Sequence, residues 1–229
     1  DLDGRYFITV DNQLNTLIGA TGLPALQHLT LNNNQLTTLN GISGLTSLVT
    51  LDVSYNAIVD ILSLTFLVNL ESLYATNNVI KTLKPLKHLV RLTRLWLNCN
   101  AIKRLRGVET LIKLEDLQLH SNKITCIKGV DKLVALETLD LEDNYITDVK
   151  PLGFLNRLMV IELSSNYIAN ISKLKNALGV YELYIRDNKL TSLDGIQRMR
   201  HLTTLCAAEN YITDLSEIRG KLNLRNLEL

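Results

Sequence analysis

The sequence is poor in aromatic residues, proline and cysteine: 5% of its 229 residues are aromatic, and it contains three prolines and three cysteines. It has no apolar run of membrane-spanning length and no segment resembling a signal peptide. Cys99, Cys126 and Cys206 do not form a disulfide framework, which favours a reducing compartment. The net charge of +1 argues against nucleic-acid binding. We therefore expect a cytoplasmic or nuclear protein with no membrane span and no nucleic-acid partner.

Motifs for catalysis are missing as well. The sequence has no glycine-rich phosphate loop, no His-Glu-x-x-His motif and no Cys/His spacing for zinc. Its four histidines are scattered along the chain. The sequence therefore predicts no enzyme activity, no cofactor and no metal site.

What the sequence does have is a repeat. An asparagine recurs every 22 residues from Asn34 to Asn210 without an insertion, and Asn12 continues the series backward. Apolar residues recur eight, five and three positions before each asparagine and two, five, eight and eleven after it. Around Asn100 these residues are Leu92, Leu95, Leu97, Ile102, Leu105, Val108 and Leu111. The pattern L-x-x-L-x-L-x-x-N-x-L is typical of leucine-rich repeats.

This repeat predicts a coil of stacked turns, because the leucines of one turn can be buried only against neighbouring turns. Each turn contains a short strand and a return segment, and glycine or proline (Pro85, Pro151) marks the start of several returns. We predict an α/β leucine-rich-repeat solenoid, a right-handed horseshoe. Its parallel sheet lies on the concave face, and short helical or 3-10 return segments lie on the convex face.

The repeat also predicts the domain organisation. Residues 1–229 are expected to form one monomeric domain of about ten 22-residue repeats. Residues 1–13 are interpreted as a degenerate first turn or cap, because Phe7 and Thr9 stand where later repeats have leucines. Leu224, Leu227 and Leu229 are in register for a further repeat that lacks its asparagine, so we expect the C-terminal end to be truncated within a repeat.

The recurring asparagine is predicted to have a structural role. Its side-chain amide can donate and accept hydrogen bonds, and it stands where the strand ends and backbone groups need partners. A buried backbone group without a partner costs about 1–3 kcal/mol.

The open face of the predicted sheet is expected to be acidic. It carries the residues six, four, two and one positions before each asparagine, and equivalent residues of neighbouring repeats form columns about 4.8 Å apart. The basic residues at these positions are Arg94 and Arg186, with His28 and His120. The acidic residues are Asp52, Asp116, Asp140, Glu142, Asp143, Glu162, Glu182, Asp187, Glu209 and Glu228.

This face is predicted to bind a protein partner with a basic surface. Trp and Tyr are favoured interface anchors, and carboxylates crowded into two repeats would steer a basic partner. The predicted binding residues are Tyr74, Trp96, Asp116, His120, Asp140, Glu142, Asp143, Glu162, Tyr184 and Arg186. The alternatives are a merely solvated face, a Trp96 shielded by Tyr74 and Arg94, and a metal site where His120 meets Asp140 and Glu142.

A basic stripe is predicted on the return side. Lys84, Arg106, Lys128 and Lys150 stand six residues after four consecutive asparagines. The stripe is a candidate secondary site for phosphate, an acidic membrane or an acidic protein. It lacks the interleaved aromatics that base stacking needs, and a solvated flank is the alternative.

The stretch LTRLWLNCNAIKRLRGVETLIKLEDLQLHSNKITCIKGVDKLVALETLDLEDNYI, with its neighbours, resembles the leucine-rich repeats of the protein phosphatase 1 nuclear regulatory subunit family. The resemblance covers nearly the whole chain. It implies a concave face that grips the phosphatase catalytic subunit, here through Tyr74, Trp96, Asp140, Glu142 and Glu162. The sequence departs from the family in the stretch LTTLCAAEN, which has no inner-face aromatic, and in lacking a closing cap.

Other repeat proteins are similar too. The phrase NYITDVKPLGFL resembles internalins, and dynein light chains and flagellar or centrosomal proteins have similar repeats. We therefore predict an intracellular protein-interaction scaffold, with phosphatase regulation as its specific role. The alternatives are an internalin-like extracellular adhesion domain and a cytoskeletal or flagellar adaptor.

Overall fold

A computed structural model describes residues 4–18 and 22–229, and in this part of the chain eleven strands form one parallel sheet in sequence order. Each inner strand pairs with the strand of the preceding repeat and with that of the next, and the first and last strands of the sheet pair with one neighbour each. The strands are β1 Tyr6–Ile8, β2 His28–Thr30, β3 Thr50–Asp52, β4 Ser72–Tyr74, β5 Arg94–Trp96, β6 Asp116–Gln118, β7 Thr138–Asp140, β8 Val160–Glu162, β9 Glu182–Tyr184, β10 Thr204–Cys206 and β11 Asn226–Glu228. The predicted solenoid with its parallel sheet is confirmed.

Each strand is three residues long and divides its side chains between two faces. In β5 the side chain of Leu95 is fully buried, whereas Arg94 and Trp96 are exposed on the other face. This division follows from the alternation of side chains along a strand. Successive strands pair without slippage, so that Leu95 lies opposite Leu117 and Trp96 lies opposite Gln118. The predicted columns are therefore real features of the sheet.

The return segments are 3-10 helices or turns, and residues 4–18 and 22–229 contain no α-helix. The predicted helical returns are thus of the 3-10 type. They are Leu62–Phe66, Lys84–His88, Val130–Lys132, Lys150–Phe154, Ser172–Asn176 and Ser216–Ile218.

The residue seven positions after the asparagine influences which kind of return forms. Where it is glycine, the return is built from turns or contains only the short helix Val130–Lys132. Gly107 shows why: its φ of 113° is not helical, and a Cβ atom there would lie 2.3 Å from the carbonyl oxygen of Leu83. Only glycine tolerates both the left-handed backbone and this close approach. Proline at the same position, as at Pro85, lies inside a five-residue 3-10 helix.

The core is a continuous stack of aliphatic side chains between the sheet and the returns. The seven apolar positions predicted around Asn100 are all at most 1% exposed. Equivalent leucines, isoleucines and valines of successive repeats belong to the same cluster. The described part of the chain contains no helix long and apolar enough to cross a bilayer.

The recurring asparagine ties each repeat to the one before it. The Nδ2 group of Asn122 donates to the carbonyl oxygens of Leu119 and His120 in its own repeat, at 3.0 and 3.2 Å, and to that of Leu97 in the preceding repeat, at 3.0 Å. Its Oδ1 atom accepts a hydrogen bond of 3.1 Å from the backbone N–H of Ile102. The predicted structural role is confirmed, because Asn34 and Asn210 have the same set of partners.

The first described residues differ from the inner repeats. Phe7 is the middle residue of β1, yet it is 46% exposed. Among the described residues, the side chain of Asn12 donates within its own turn, to the hydroxyl of Thr9 and the carbonyl oxygen of Val10. Residues 1–3 of the predicted cap lie outside the described residues, and the single-domain organisation of residues 1–229 stays a prediction.

The asparagine ladder can be tested at Asn122, which is buried. Asn122→Ala removes one acceptor and the donors to three carbonyl groups, so we expect the free energy of unfolding to fall by about 2–4 kcal/mol. Urea denaturation followed by circular dichroism measures it. Asn156→Ala, at an exposed asparagine of an inner repeat, is the matched control and should change stability by less than about 0.5 kcal/mol. Equal effects at the two positions would contradict a structural role for the ladder.

Candidate interaction site on the open sheet face

The third residue of every strand contributes to one column across the open sheet face. From β3 to β11 this third-residue column reads Asp52, Tyr74, Trp96, Gln118, Asp140, Glu162, Tyr184, Cys206 and Glu228. Aromatic residues therefore occupy adjacent rungs at β4 and β5, and carboxylates occupy adjacent rungs at β7 and β8. The sheet register alone creates two chemically different regions on one surface.

The aromatic region is built around Trp96, which is 39% exposed. Its indole Nε1–H donates to Oδ2 of Asp116 at 2.7 Å. The ring of Tyr74 meets it edge-on, with centroids 4.9 Å apart and an interplanar angle of 79°. Arg94 donates instead to the hydroxyl of Ser72 at 3.4 Å, so Tyr74 and Asp116 orient the indole, and the predicted shielding by Arg94 is not the arrangement found. An oriented, half-exposed Trp is a suitable interface anchor.

A recess of about 460 Å³ opens beside this pair, and we call it the aromatic recess. Tyr55, Tyr74 and Trp96 contribute its aromatic walls, and Asp52 and Asn98 contribute polar groups. Tyr55 is 57% exposed and was not among the predicted site residues. Tyr55 has a left-handed backbone, with a φ of 56°, and in this conformation its side chain lines the recess.

The residue before every repeat asparagine from Asn12 to Asn210 has this left-handed backbone. The φ values at these positions lie between 50° and 57°, and they include Cys99, Asp143 and Glu209. Asn and Asp tolerate this conformation best, and they occupy five of the positions: Asp11, Asn33, Asn77, Asp143 and Asp187. The frequent Asn and Asp residues are the feature of the sequence that could predict this left-handed column. The feature is missing in the repeats where Tyr, Cys, Ser or Glu takes the position.

The acidic region is centred on three carboxylates, Asp140, Glu142 and Glu162, which we call the acidic band. Asp140 lies directly opposite Glu162 in the sheet register, and Glu142 follows Asp140 by two residues. Oδ1 of Asp140 accepts the backbone N–H of Glu142 at 3.0 Å, and Oε1 of Glu162 accepts that of Ser164 at 2.7 Å. These bonds hold the carboxylates against the sheet.

Burial raises the pKa of Asp140 above its ordinary value, and the charges of Glu142 and Asp116 add to this effect, while the backbone hydrogen bond and nearby His120 oppose it. Burial likewise raises the pKa of Glu162, and the charges of Glu142 and Asp140 act in the same direction. The ion pairs in the described part of the chain are Lys132–Asp131 and Arg186–Glu209. Asp140 and Glu162 are therefore partly desolvated, and no described Lys or Arg forms an ion pair with the acidic band.

A second recess, of about 480 Å³, opens beside the acidic band. Glu142, Glu162, Tyr184 and Arg186 line it together with Cys206 and other residues. The hydroxyl of Tyr184 donates to Glu182 at 3.0 Å, and burial together with this carboxylate raises the pKa of Tyr184 to about 12. Tyr184 is therefore a neutral hydrogen-bonded wall of the recess.

The other predicted residues have defined places. Arg186 forms an exposed ion pair with Glu209, the largest cause of its raised pKa. His120 approaches the hydroxyl of Ser121 at 3.2 Å through Nδ1, and Asp143 is exposed in the left-handed column. Among the described residues no group of three or more His, Cys, Asp and Glu side chains is arranged to hold a metal ion. The basic residues Lys84, Arg106, Lys128 and Lys150 are exposed on the return segments.

The predicted site residues thus fall into two clusters. Tyr74, Trp96 and Asp116 come together at one end, and Asp140, Glu142, Glu162 and Tyr184 come together further along the sheet. About two rungs of roughly 4.8 Å each separate Trp96 from Asp140. The assignment of these residues to partner binding stays a prediction.

Comparisons with known proteins agree on the repeat. A model described as leucine rich repeat matches residues 18–58, and a model of two leucine rich repeat copies matches residues 68–110 and 112–153. These matches cover more than half of the chain. No curated protein matches its sequence.

Several solved structures share the fold. An internalin of Listeria monocytogenes is 27% identical with a TM-score of 0.90, over 97% of this chain and 66% of that one. Internalin C2 of the same organism is 26% identical with a TM-score of 0.76, over 82% of this chain and 83% of that one. A leucine-rich repeat protein of Leptospira interrogans is 30% identical with a TM-score of 0.85, over 90% of this chain and 55% of that one. The chain thus spans about two thirds, or less, of two of these three structures.

The acidic band should lower stability at neutral pH. A carboxyl group whose pKa is higher in the folded than in the unfolded chain destabilises the fold above the folded pKa, and this penalty disappears as the pH falls below the unfolded value. Asp140→Asn and Glu162→Gln keep an acceptor oxygen but remove the charge. Each should raise the free energy of unfolding at pH 7 by a few tenths to about 1 kcal/mol.

Urea denaturation at pH 7 and at pH 3 measures this effect, with Glu115→Gln at an exposed carboxylate as the control. The gain at Asp140 and Glu162 should shrink at the lower pH, because the wild-type carboxyls are then protonated too. A loss of stability in both variants at pH 7 would show that the charged forms are favoured in the fold.

Proposed function

The chain belongs to the leucine-rich repeat proteins, and from that starting point we propose that it is a non-enzymatic scaffold that binds a protein partner on its open sheet face. Leucine-rich repeats present a rigid curved sheet on which many side chains face the same way. The binding surface we propose combines the aromatic recess with the acidic band.

One observation carries this proposal: among the described residues, no Lys or Arg forms an ion pair with the acidic band. Asp140 and Glu162 face each other across adjacent strands, where like charges repel. Their partial burial makes the repulsion stronger than it would be in water. The positive charge of a partner would offset the repulsion and would replace the hydration that these carboxylates have lost. Binding a basic ligand should therefore stabilise this surface more than it would stabilise a fully hydrated one.

The chemistry of the partner follows from the two clusters. Lys or Arg side chains would meet the acidic band, and an apolar or aromatic residue would enter the aromatic recess beside Trp96. The rungs from Asp52 to Glu162 span roughly 25 Å, which fits an interface of about 800 Å² on each partner. Charge would speed and orient docking, and the aromatic anchor would supply most of the binding energy.

The phosphatase catalytic subunit is the specific partner that we propose on the resemblance of the repeats. Among the residues that resemblance implies, Tyr74 and Trp96 form one cluster and Asp140, Glu142 and Glu162 form the other. We also propose an intracellular location, supported by the free thiols of Cys99, Cys126 and Cys206.

An extracellular adhesion domain is the second candidate function. It is favoured by the TM-scores of 0.90 and 0.76 to two internalins of Listeria monocytogenes. The two candidates differ in where the partner is found, because an adhesion domain binds the surface of intact cells, whereas the proposed scaffold binds a protein from their interior.

Affinity capture tests the open sheet face in both cases. Trp96→Ala with Glu142→Lys should lose most of the protein that the wild-type domain retains, because truncating an interface anchor costs about 2 kcal/mol or more. Ile112→Ala with Glu115→Lys makes the same kinds of change at exposed residues outside the open face and should retain the partner. Circular dichroism confirms that both double variants are folded. Equal retention by the two variants would overturn the proposal.

A further inference from the structure

A third recess lies on the return side, away from the open sheet face, and has a volume of about 780 Å³. It is lined by the return segments that follow β5 and β6, with Arg104 and Arg106 from the first and Cys126, Lys128 and Lys132 from the second. The backbones of Arg104 and Cys126 are directly bridged, so the two segments run side by side. We call this space the return-side recess.

The recess occurs where two consecutive returns have glycine at the seventh position, Gly107 and Gly129. Neither return contains the five-residue 3-10 helix found where that position is Pro85 or Pro151. Gly129 lines the recess, whereas Gly107 is buried next to Arg106 in the chain, and both glycines have a left-handed backbone, with φ values of 113° at Gly107 and 101° at Gly129. Gly19 and Gly41 have the same spacing in the sequence, but Gly19 lies outside the described residues; within residues 4–18 and 22–229, Gly107 and Gly129 are the one such pair in consecutive repeats, so the recess is not a property of every rung.

The lining carries more cations than its carboxylates neutralise. Glu109 accepts the backbone N–H of Gly107, and Asp131 accepts that of Gly129 at 3.1 Å, so both acids are engaged in holding the turns. Asp131 also pairs with Lys132 at 3.1 Å. Across the described residues, Arg104, Arg106 and Lys128 have no carboxylate within ion-pair distance. Three cationic groups thus remain available around one concave space.

We infer that the return-side recess binds a small ligand carrying two or more phosphate groups. The volume is in the range of small-molecule sites, about 300–1,000 Å³. Arginine forks match phosphate oxygens with two parallel hydrogen bonds, and a lysine adds a point charge. A single carboxylate would neutralise only one of the three cations. The lining contains no aromatic side chain to stack on a base, so the phosphates themselves are the recognised feature.

Binding of inorganic tripolyphosphate to the purified domain tests this site by isothermal titration calorimetry. The wild type should bind it at one saturable site, and Arg106→Gln with Lys128→Gln should weaken binding at least tenfold. Lys84→Gln with Lys150→Gln removes two charges from the same column but outside the recess, and it should leave binding unchanged. Equal weakening by the two pairs, or the absence of saturable binding, would overturn the site.

The cysteines supply an independent measurement in the same sample. Cys126 is exposed and lines the recess, whereas Cys206 lies on the open sheet face. Tripolyphosphate should slow the alkylation of Cys126 by iodoacetamide without changing that of Cys206, as measured by mass spectrometry. Unchanged alkylation at Cys126 despite binding would place the phosphate elsewhere and contradict the assignment.

Phosphates can come from a soluble molecule or from a lipid headgroup. Co-sedimentation with phosphatidylcholine vesicles that contain a phosphoinositide, lost in the Arg106→Gln, Lys128→Gln variant, would assign them to a lipid. Binding of tripolyphosphate without vesicle binding would assign them to a soluble ligand. If the wild-type domain binds neither probe, the inference is wrong.

Discussion

The hydrogen bonds of the recurring asparagine are the interaction on which the rest of the structure depends. Each strand is only three residues long, so backbone N–H and C=O groups just beyond its end have no partner in the sheet. These groups lie in the interior, where water cannot form hydrogen bonds with them. The amide of Asn122 satisfies carbonyl groups of two repeats and an N–H of the preceding one. The donated bond spans 25 residues and the accepted bond spans 20, and both spans recur from repeat to repeat, so a shift of register in one repeat would break the ladder. This constraint fits the absence of insertions between Asn34 and Asn210.

A fixed register turns position within the repeat into position on the surface. The sheet register by itself places Tyr74 beside Trp96 and Asp140 beside Glu162 in the third-residue column. Its cost is that like charges become neighbours wherever the sequence repeats an acid at one phase. The fold tolerates this because each carboxylate accepts a backbone N–H and because the aliphatic core supplies the stability. On the return side, Gly107 and Gly129 stand at the same position of two successive repeats, and a recess lined by basic side chains lies between their return segments.

Much of the fold could be predicted because it depends on periodicity alone. The strands, the buried positions, the structural asparagines and the columns all follow from one repeating phase. The details of the site could not, because they depend on rotamers and on contacts between different columns. The bond from Trp96 to Asp116 joins two columns of adjacent rungs, and the exposure of Tyr55 requires a left-handed backbone that its residue type does not favour. The likeness to internalin structures shows the fold and not a partner, since one fold can carry many unrelated functions.

Within the acidic band, Asp140 and Glu162 are partly desolvated carboxylates that form no ion pair in the described part of the chain, and we expect a basic partner to supply the missing cation. Titration of the side-chain carboxyl ¹³C signals of Asp140 and Glu162 by NMR measures this directly, in the free domain and without knowledge of the partner. We expect both carboxyls to titrate above the ordinary values of about 3.9 for Asp and about 4.3 for Glu. If both titrate below those values, the charges are already stabilised within the domain. A basic partner would then bring no further electrostatic stabilisation to the open sheet face.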